Sequence, residues 1–258
     1  MMKDLRAVSR RSGILARLAV PLVCLAIPLY AQDQPTLVVR HEHYFVVVNQ
    51  GDETPTISAR SKSYYRYTNG LDLQVIDDQA EVRLETMLPL GAEMSDAIPG
   101  AAAPFYLVIA NPGYNGVIFD ADRPWGVVAA GRWGLGSNNG VPQMYLYVPP
   151  ECESFQVTCD APSPSAGEGE PVLDPQGDEV VVMDGEFDEA VTKEIAVPAE
   201  QRGKVWSLTW AKPQTVEAGL DDIALFLDGY LAPLLWPDAS WAEKHGPTIW
   251  QRHKVVLD

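Results

Sequence analysis

No stretch of this chain sustains the apolar stripe of a long amphipathic helix, and that absence constrains the fold most. In place of such a stripe stand many short runs rich in Val, Ile, Leu, Tyr and Trp, closed by Gly, Pro, Asn or Asp. Short strands at short spacing, with turn signals between them, predict an all-β protein of sandwich or barrel type. Met144–Cys159, MYLYVPPECESFQVTC, carries the pattern most clearly and reads as strand, turn, strand. Phe155, Val157 and Cys159 alternate there with Gln156 and Thr158, as one buried and one solvated face require.

Other segments are read the same way. Thr36–Gln50 is dense in β-branched and aromatic residues and predicts a strand or strand pair. Ser63–Ile76 predicts a hairpin, with Asn69-Gly70 supplying a two-residue turn. Leu90–Pro104, dominated by Gly, Ala and Pro, reads as a long loop, and Gly131–Gly140 as a loop and domain boundary. Leu220–Leu227 fits both a helix stripe and a strand, and its shortness and the Asp228-Gly229 turn favour the strand. Asp238 caps a single helical turn that Gly246 stops. Two β-rich units are expected, 32–141 and 142–258, with one continuous core as the alternative.

The first 31 residues do not belong to this fold. Lys3, Arg6, Arg10, Arg11 and Arg17 precede an apolar run, Leu18–Tyr30, and Ala31 is a small residue at which a signal peptide is cut. The run is too short and too interrupted by Pro21 and Pro28 for a membrane span, which needs about 20 apolar residues. Export to the periplasm, the cell surface or the medium is therefore expected. Losing residues 1–31 removes five basic groups and one acid, taking the formal charge from −16 to −20. So acidic a chain repels nucleic acid and anionic membrane.

Export also bears on Cys152 and Cys159. An oxidising compartment favours a disulfide. If the chain stays extended from Cys152 to Cys159, seven residues at about 3.3 Å each separate their Cα atoms by about 23 Å, where a disulfide needs about 7 Å or less. Strand and disulfide exclude each other unless the chain bends within Glu153–Thr158, and the alternation favours the strand.

The order YLYVPP, FQVT, DPQGDEVV, IAVP, GKVWSLTW, DDIALFLDG, LAPLL over about 143–235 resembles the accessory β-sandwich modules of the galactose-binding-like and pre-peptidase C-terminal type. The shared elements are a strand ending in Val-Pro, a following strand carrying Phe, and an Asp-Pro-x-Gly turn. The resemblance implies a jelly-roll-like sandwich that often binds sugars or sits beside a catalytic domain. It carries no catalytic residues over.

Aromatic side chains in turns are the candidate ligand contacts, because sugars present flat apolar C–H faces to such rings. Tyr114, Trp125 and Trp133 lie in turn-rich segments, with Arg123, Arg132 and Asn138 nearby as hydrogen-bonding groups. The competing reading is that each tryptophan plugs an end of the sandwich. Trp206 and Trp210 share a face with Leu208 and read as core, while Trp236, Trp241 and Trp250 read as pins for the tail. Asp120 and Asp122 flank Ala121 and are the candidate ligands of a structural calcium, against the default of solvated turn acids. His41 and His43, two apart on an expected strand, would share a face and are a second metal candidate. No other cofactor is implied, and the region after residue 31 carries no G-x-S-x-G elbow or nucleotide-binding glycine pattern. The leading expectation is a secreted, non-catalytic carbohydrate-binding module. The alternatives are a protein that docks other exported proteins through sheet edges, and a glycan-active hydrolase or lyase.

Overall fold

Alternating burial builds twenty strands, with one α-helix and one short 3-10 turn, in a computed structural model that describes residues 36–137, 140–160, 167–168, 171–183, 185–186, 189–210 and 223–257. The strands are β1 (Val39–Arg40), β2 (His43–Val48), β3 (Thr56–Lys62), β4 (Leu71–Asp77), β5 (Val82–Leu88), β6 (Glu93–Ala97), β7 (Phe105–Asn111), β8 (Gly116–Ala121), β9 (Trp125–Val128) and β10 (Leu135–Ser137). They continue with β11 (Val141–Val148), β12 (Ser154–Asp160), β13 (Gly167–Glu168), β14 (Pro171–Leu173), β15 (Glu179–Val182), β16 (Gly185–Glu186), β17 (Val191–Ala196), β18 (Lys204–Trp210), β19 (Ile223–Gly229) and β20 (Leu234–Leu235), before helix α1 (Ala239–Leu257). The expected leader, and Asn138, lie outside the described residues.

The protein is an all-β sandwich. One layer is an eight-stranded antiparallel sheet, β17-β12-β19-β10-β1-β8-β3-β6. Facing it are a six-stranded sheet, β20-β9-β2-β7-β4-β5, and a four-stranded one, β11-β18-β14-β15. Phe45 of β2 stacks on Phe119 of β8 with ring centroids 4.3 Å apart. Phe155 of β12 meets Trp206 of β18 edge-on at 5.6 Å. These contacts mark the two halves of one core, whose buried residues run from Val39 to Leu235. The two smaller sheets meet where Tyr145 and Trp236 exchange backbone hydrogen bonds of 2.8 and 2.7 Å.

Residue 141 therefore does not divide two cores. β10, before it, pairs with β19, after it, and β20 pairs with β9. The glycine-rich 131–140 segment, expected to be loop, contributes β10 as an interior strand. Composition misled there because β10 is buried on all three residues and needs little side-chain bulk.

Three further expectations are corrected. The Asn69-Gly70 hairpin does not form: β3 pairs with β6 and β8 in one layer, and β4 with β5 and β7 in the other. Residues 63–70 cross between layers, and Gly70 is required for closeness, since a Cβ there would lie 2.3 Å from the Leu88 carbonyl oxygen. Within Leu90–Pro104, Glu93–Ala97 is an edge strand paired with β3. The tail helix runs for 19 residues, through Gly246 and Pro247. Asp238 caps it, its Oδ1 accepting from Ser240 N at 2.8 Å. Trp241, Ala242, His245, Ile249 and Trp250 recur at helical spacing on both sides of the Gly-Pro break, and their packing outweighs the local breaker. Trp236 and Trp250 are buried, as expected of pins for the tail. No helix among the described residues is long and apolar enough to cross a membrane.

The cysteine conflict resolves for the strand. Cys152 and Cys159 are not joined to each other; both are buried, with Cys159 inside β12. Burial pushes the Cys152 thiol up to about 11.

Candidate functional site

His41 fixes the site. It separates β1, which belongs to the eight-stranded sheet, from β2, which belongs to the six-stranded one. To turn the chain from one layer into the other its backbone takes φ = +65°, a conformation that costs a non-glycine residue free energy. The kink points the His41 ring outward and the His43 ring inward, so the two imidazoles do not form the expected shared-face metal pair. His43 is 1% exposed.

Around His41 the structure assembles a row of rings. Trp133 stacks on it with centroids 4.3 Å apart and planes 16° from parallel. Tyr114 meets it edge-on at 5.5 Å, and Tyr67 stacks on Tyr114 at 5.1 Å. The Arg132 guanidinium lies 4.6 Å from the Trp133 centroid, a cation–π contact. Tyr114 is 55% exposed, which leaves much of its ring open to solvent.

Two buried polar side chains hold this row from beneath. Arg40, 3% exposed, donates from Nε and Nη2 to the Tyr114 carbonyl oxygen at 3.1 and 2.8 Å. Asn115, fully buried, accepts from Tyr64 N at 3.0 Å and donates from Nδ2 to the Tyr67 and Asn69 carbonyls at 3.3 and 2.7 Å. The 64–69 crossover, the 112–115 turn and the β1–β2 kink are thus fastened to one another. Burying a charged group and a carboxamide costs free energy unless they are hydrogen-bonded, and here both are.

The row opens onto a cleft of about 400 Å³ lined by His41, Glu42, Tyr44, Asn111, Tyr114, Arg132 and Trp133 among others. The Tyr44 hydroxyl donates to Glu42 Oε1. That hydrogen bond to a carboxylate, followed by burial, raises the Tyr44 phenol above its usual range. His41 is held below the ordinary imidazole value, first by burial and then by the Arg40 charge, so its ring meets its neighbours as a neutral plane at pH 7. Ring faces beside a carboxylate, a carboxamide and a guanidinium make a surface that can hold an apolar face while hydrogen-bonding its polar edge.

Of the residues expected from sequence, Tyr114, Trp133 and Arg132 come together in this cleft. Trp125 does not join them. It is 7% exposed, packed edge-on against Phe45 and Phe119, with Nε1 donating to Asp120 Oδ1 at 3.0 Å. It plugs the core because β9 begins at that residue and its side chain faces inward. Arg123 ion-pairs with Asp122 at 3.4 Å, outside the cleft lining. Asp120 and Asp122 spend Oδ1 atoms on N–H donors, Asp120 on Trp125 and Ala121, Asp122 on Thr56. Among the described residues no group of three metal-ligating side chains forms. His41, Glu42, Tyr44 and Asn111 were not anticipated as ligand contacts. Strand register brings them together, and no local motif announces it.

No protein-family model and no curated protein matches the chain.

Proposed function

We propose that this protein is an exported, non-catalytic carbohydrate-binding module whose ligand lies on the Tyr114–His41–Trp133 row. The carrying observation is that exposed Tyr114 and half-buried Trp133 face an open cleft edged by Glu42, Asn111 and Arg132. Flat rings take the C–H face of a sugar, and the three polar groups reach its hydroxyls. The firm seating of the row by Arg40 and Asn115 supports the reading, because a preorganised surface loses less entropy on binding. Export rests on the basic-then-apolar leader read from the sequence. A glycan array with wild type, Tyr114→Ala and Trp133→Ala tests the assignment. Binding by the wild type that falls at least about tenfold in both variants is expected. Unchanged binding in both removes the site.

A second reading, docking of another exported protein, has one observation in its favour. β5 is the outer strand of the six-stranded sheet and exposes Val82 at 51% and Met87 at 71%. An apolar edge of this kind can accept a partner's strand. A co-purifying protein released by Val82→Lys would support it, and its retention by that variant would remove it.

A further inference from the structure

The aromatic cleft does not end at Glu42. A second cleft, of about 530 Å³, adjoins it and shares both Glu42 and Asn111 as walls. Strand register explains the continuity. On the outer face of the six-stranded sheet, Tyr44, Ile109, Gln74 and Glu85 stand in one cross-strand row. Asn111, Asp72 and Met87 stand in the next, with Glu42 at its head just before β2. Each row crosses from β2 to β5, three strand spacings of about 4.8 Å, or roughly 14 Å. That length comes in addition to the Tyr114–Trp133 cleft and exceeds one sugar ring.

Helix α1 covers a different part of the same face. Val46, Phe105 and Val128 pack with Ala242, Trp241 and Ile249, and Arg252 lies 4.0 Å from the Phe105 centroid. The rows that line the two clefts lie outside this helix contact. They offer side-chain amides and carboxylates flanking an apolar floor at Ile109, and among the described residues that line the second cleft there is no Lys, Arg or His.

Resting on the carbohydrate reading, we infer that the ligand is an internal segment of a linear, non-anionic glycan lying across both clefts, with its ring-stacked unit at Tyr114 and Trp133. The reason for a chain in place of a terminal sugar is the shared wall: a ligand leaving the aromatic cleft past Glu42 and Asn111 enters the second one. The reason for excluding polyanions is Glu42, Asp72 and Glu85, which would face the anionic units lying in the second cleft with like charge. The neutral row residue Gln74 is where a chain hydroxyl finds both a donor and an acceptor.

The test is an array and calorimetry with di- and hexasaccharides of neutral β-1,4-glucan, β-1,3-glucan, α-1,4-glucan and β-1,4-mannan, and with hexagalacturonate. At least one neutral hexamer is expected to bind about tenfold or more tighter than its dimer. Gln74→Ala should weaken the hexamer and leave the dimer unchanged, Trp133→Ala should weaken both, and hexagalacturonate should not bind. Equal affinity for dimer and hexamer, indifference of the hexamer to Gln74→Ala, or binding of hexagalacturonate would overturn the extended-chain inference while leaving a sugar site at Trp133. Absence of binding to every glycan would overturn both it and the carbohydrate reading.

Discussion

His43 holds the backbone N–H of Gly136 through Nε2 at 2.9 Å, with both residues buried beneath the ring row. A backbone N–H only donates, so Nε2 accepts and the ring proton sits on Nδ1, facing the His41 carbonyl at 3.5 Å. A second proton would set two donors against each other in a dry site. Burial, the largest cause, accordingly lowers the His43 pKa from 6.5 to about 4. Below pH 6.5 the unfolded chain takes up a proton that the folded chain refuses until about pH 4. Stability is thus full above the unfolded value and is lost as pH falls through that window, by roughly 3 kcal/mol in all. Urea melts of wild type and His43→Gln between pH 7 and 4 check this. The glutamine keeps an acceptor for Gly136, so the variant should lose less stability over the window, and parallel curves would overturn the account.

Trp125 and Tyr114 should respond differently to the same change. Trp125→Ala empties a core position between Phe45 and Phe119 and is expected to cost about 3–5 kcal/mol. Tyr114→Ala removes a largely exposed ring and should change stability by no more than about 0.5 kcal/mol. Thermal melts of the two variants beside their glycan binding separate a plug from a contact. A stable Trp125→Ala that has lost binding would return Trp125 to the site.

Much of this could be read from residue order. Alternation along Leu71–Ile76 and Phe155–Cys159 marks β4 and β12 correctly, because one face of each is dry and the other wet. Which strands pair was not legible. Asn69-Gly70 carries a hairpin signal, yet β3 and β4 sit in different layers, and only the fit of Gly70 under Leu88 accounts for the glycine. The tail helix was hidden because Gly246-Pro247 is a local stop that long-range packing overrides. Tyr114 and Trp133 could be named as aromatic residues in turns. The ring that joins them, His41, could not, since its role depends on a backbone kink between two sheets.

Arg40 should govern the Tyr114 turn without touching ligand. Two of its N–H donors converge on one carbonyl oxygen, and Arg40→Met removes both while keeping the aliphatic stem. The stranded carbonyl is expected to cost about 1–3 kcal/mol. Amide exchange in residues 113–115 should accelerate more than in β12, on the far half of the core. Uniform acceleration across the chain would assign Arg40 a global role in place of a local one.

Gly246→Ala sets two effects of opposite sign against each other. In a helix interior, alanine is favoured over glycine by about 0.8–1 kcal/mol, so propensity alone predicts a more stable α1. Contact predicts the reverse. A Cβ at Gly246 would lie 2.3 Å from Tyr147 Cβ and 2.8 Å from its Cγ, and the Cβ cannot move away without shifting β11. Overpacking of this kind typically costs about 1–3 kcal/mol, which outweighs the propensity gain. The variant should melt at lower temperature, with α1 displaced from Tyr147 and Trp236. Fluorescence reads that displacement through Trp236 and Trp250, which are buried in the native protein. A raised melting temperature with unchanged fluorescence would mean that α1 does not lie on β11 in solution.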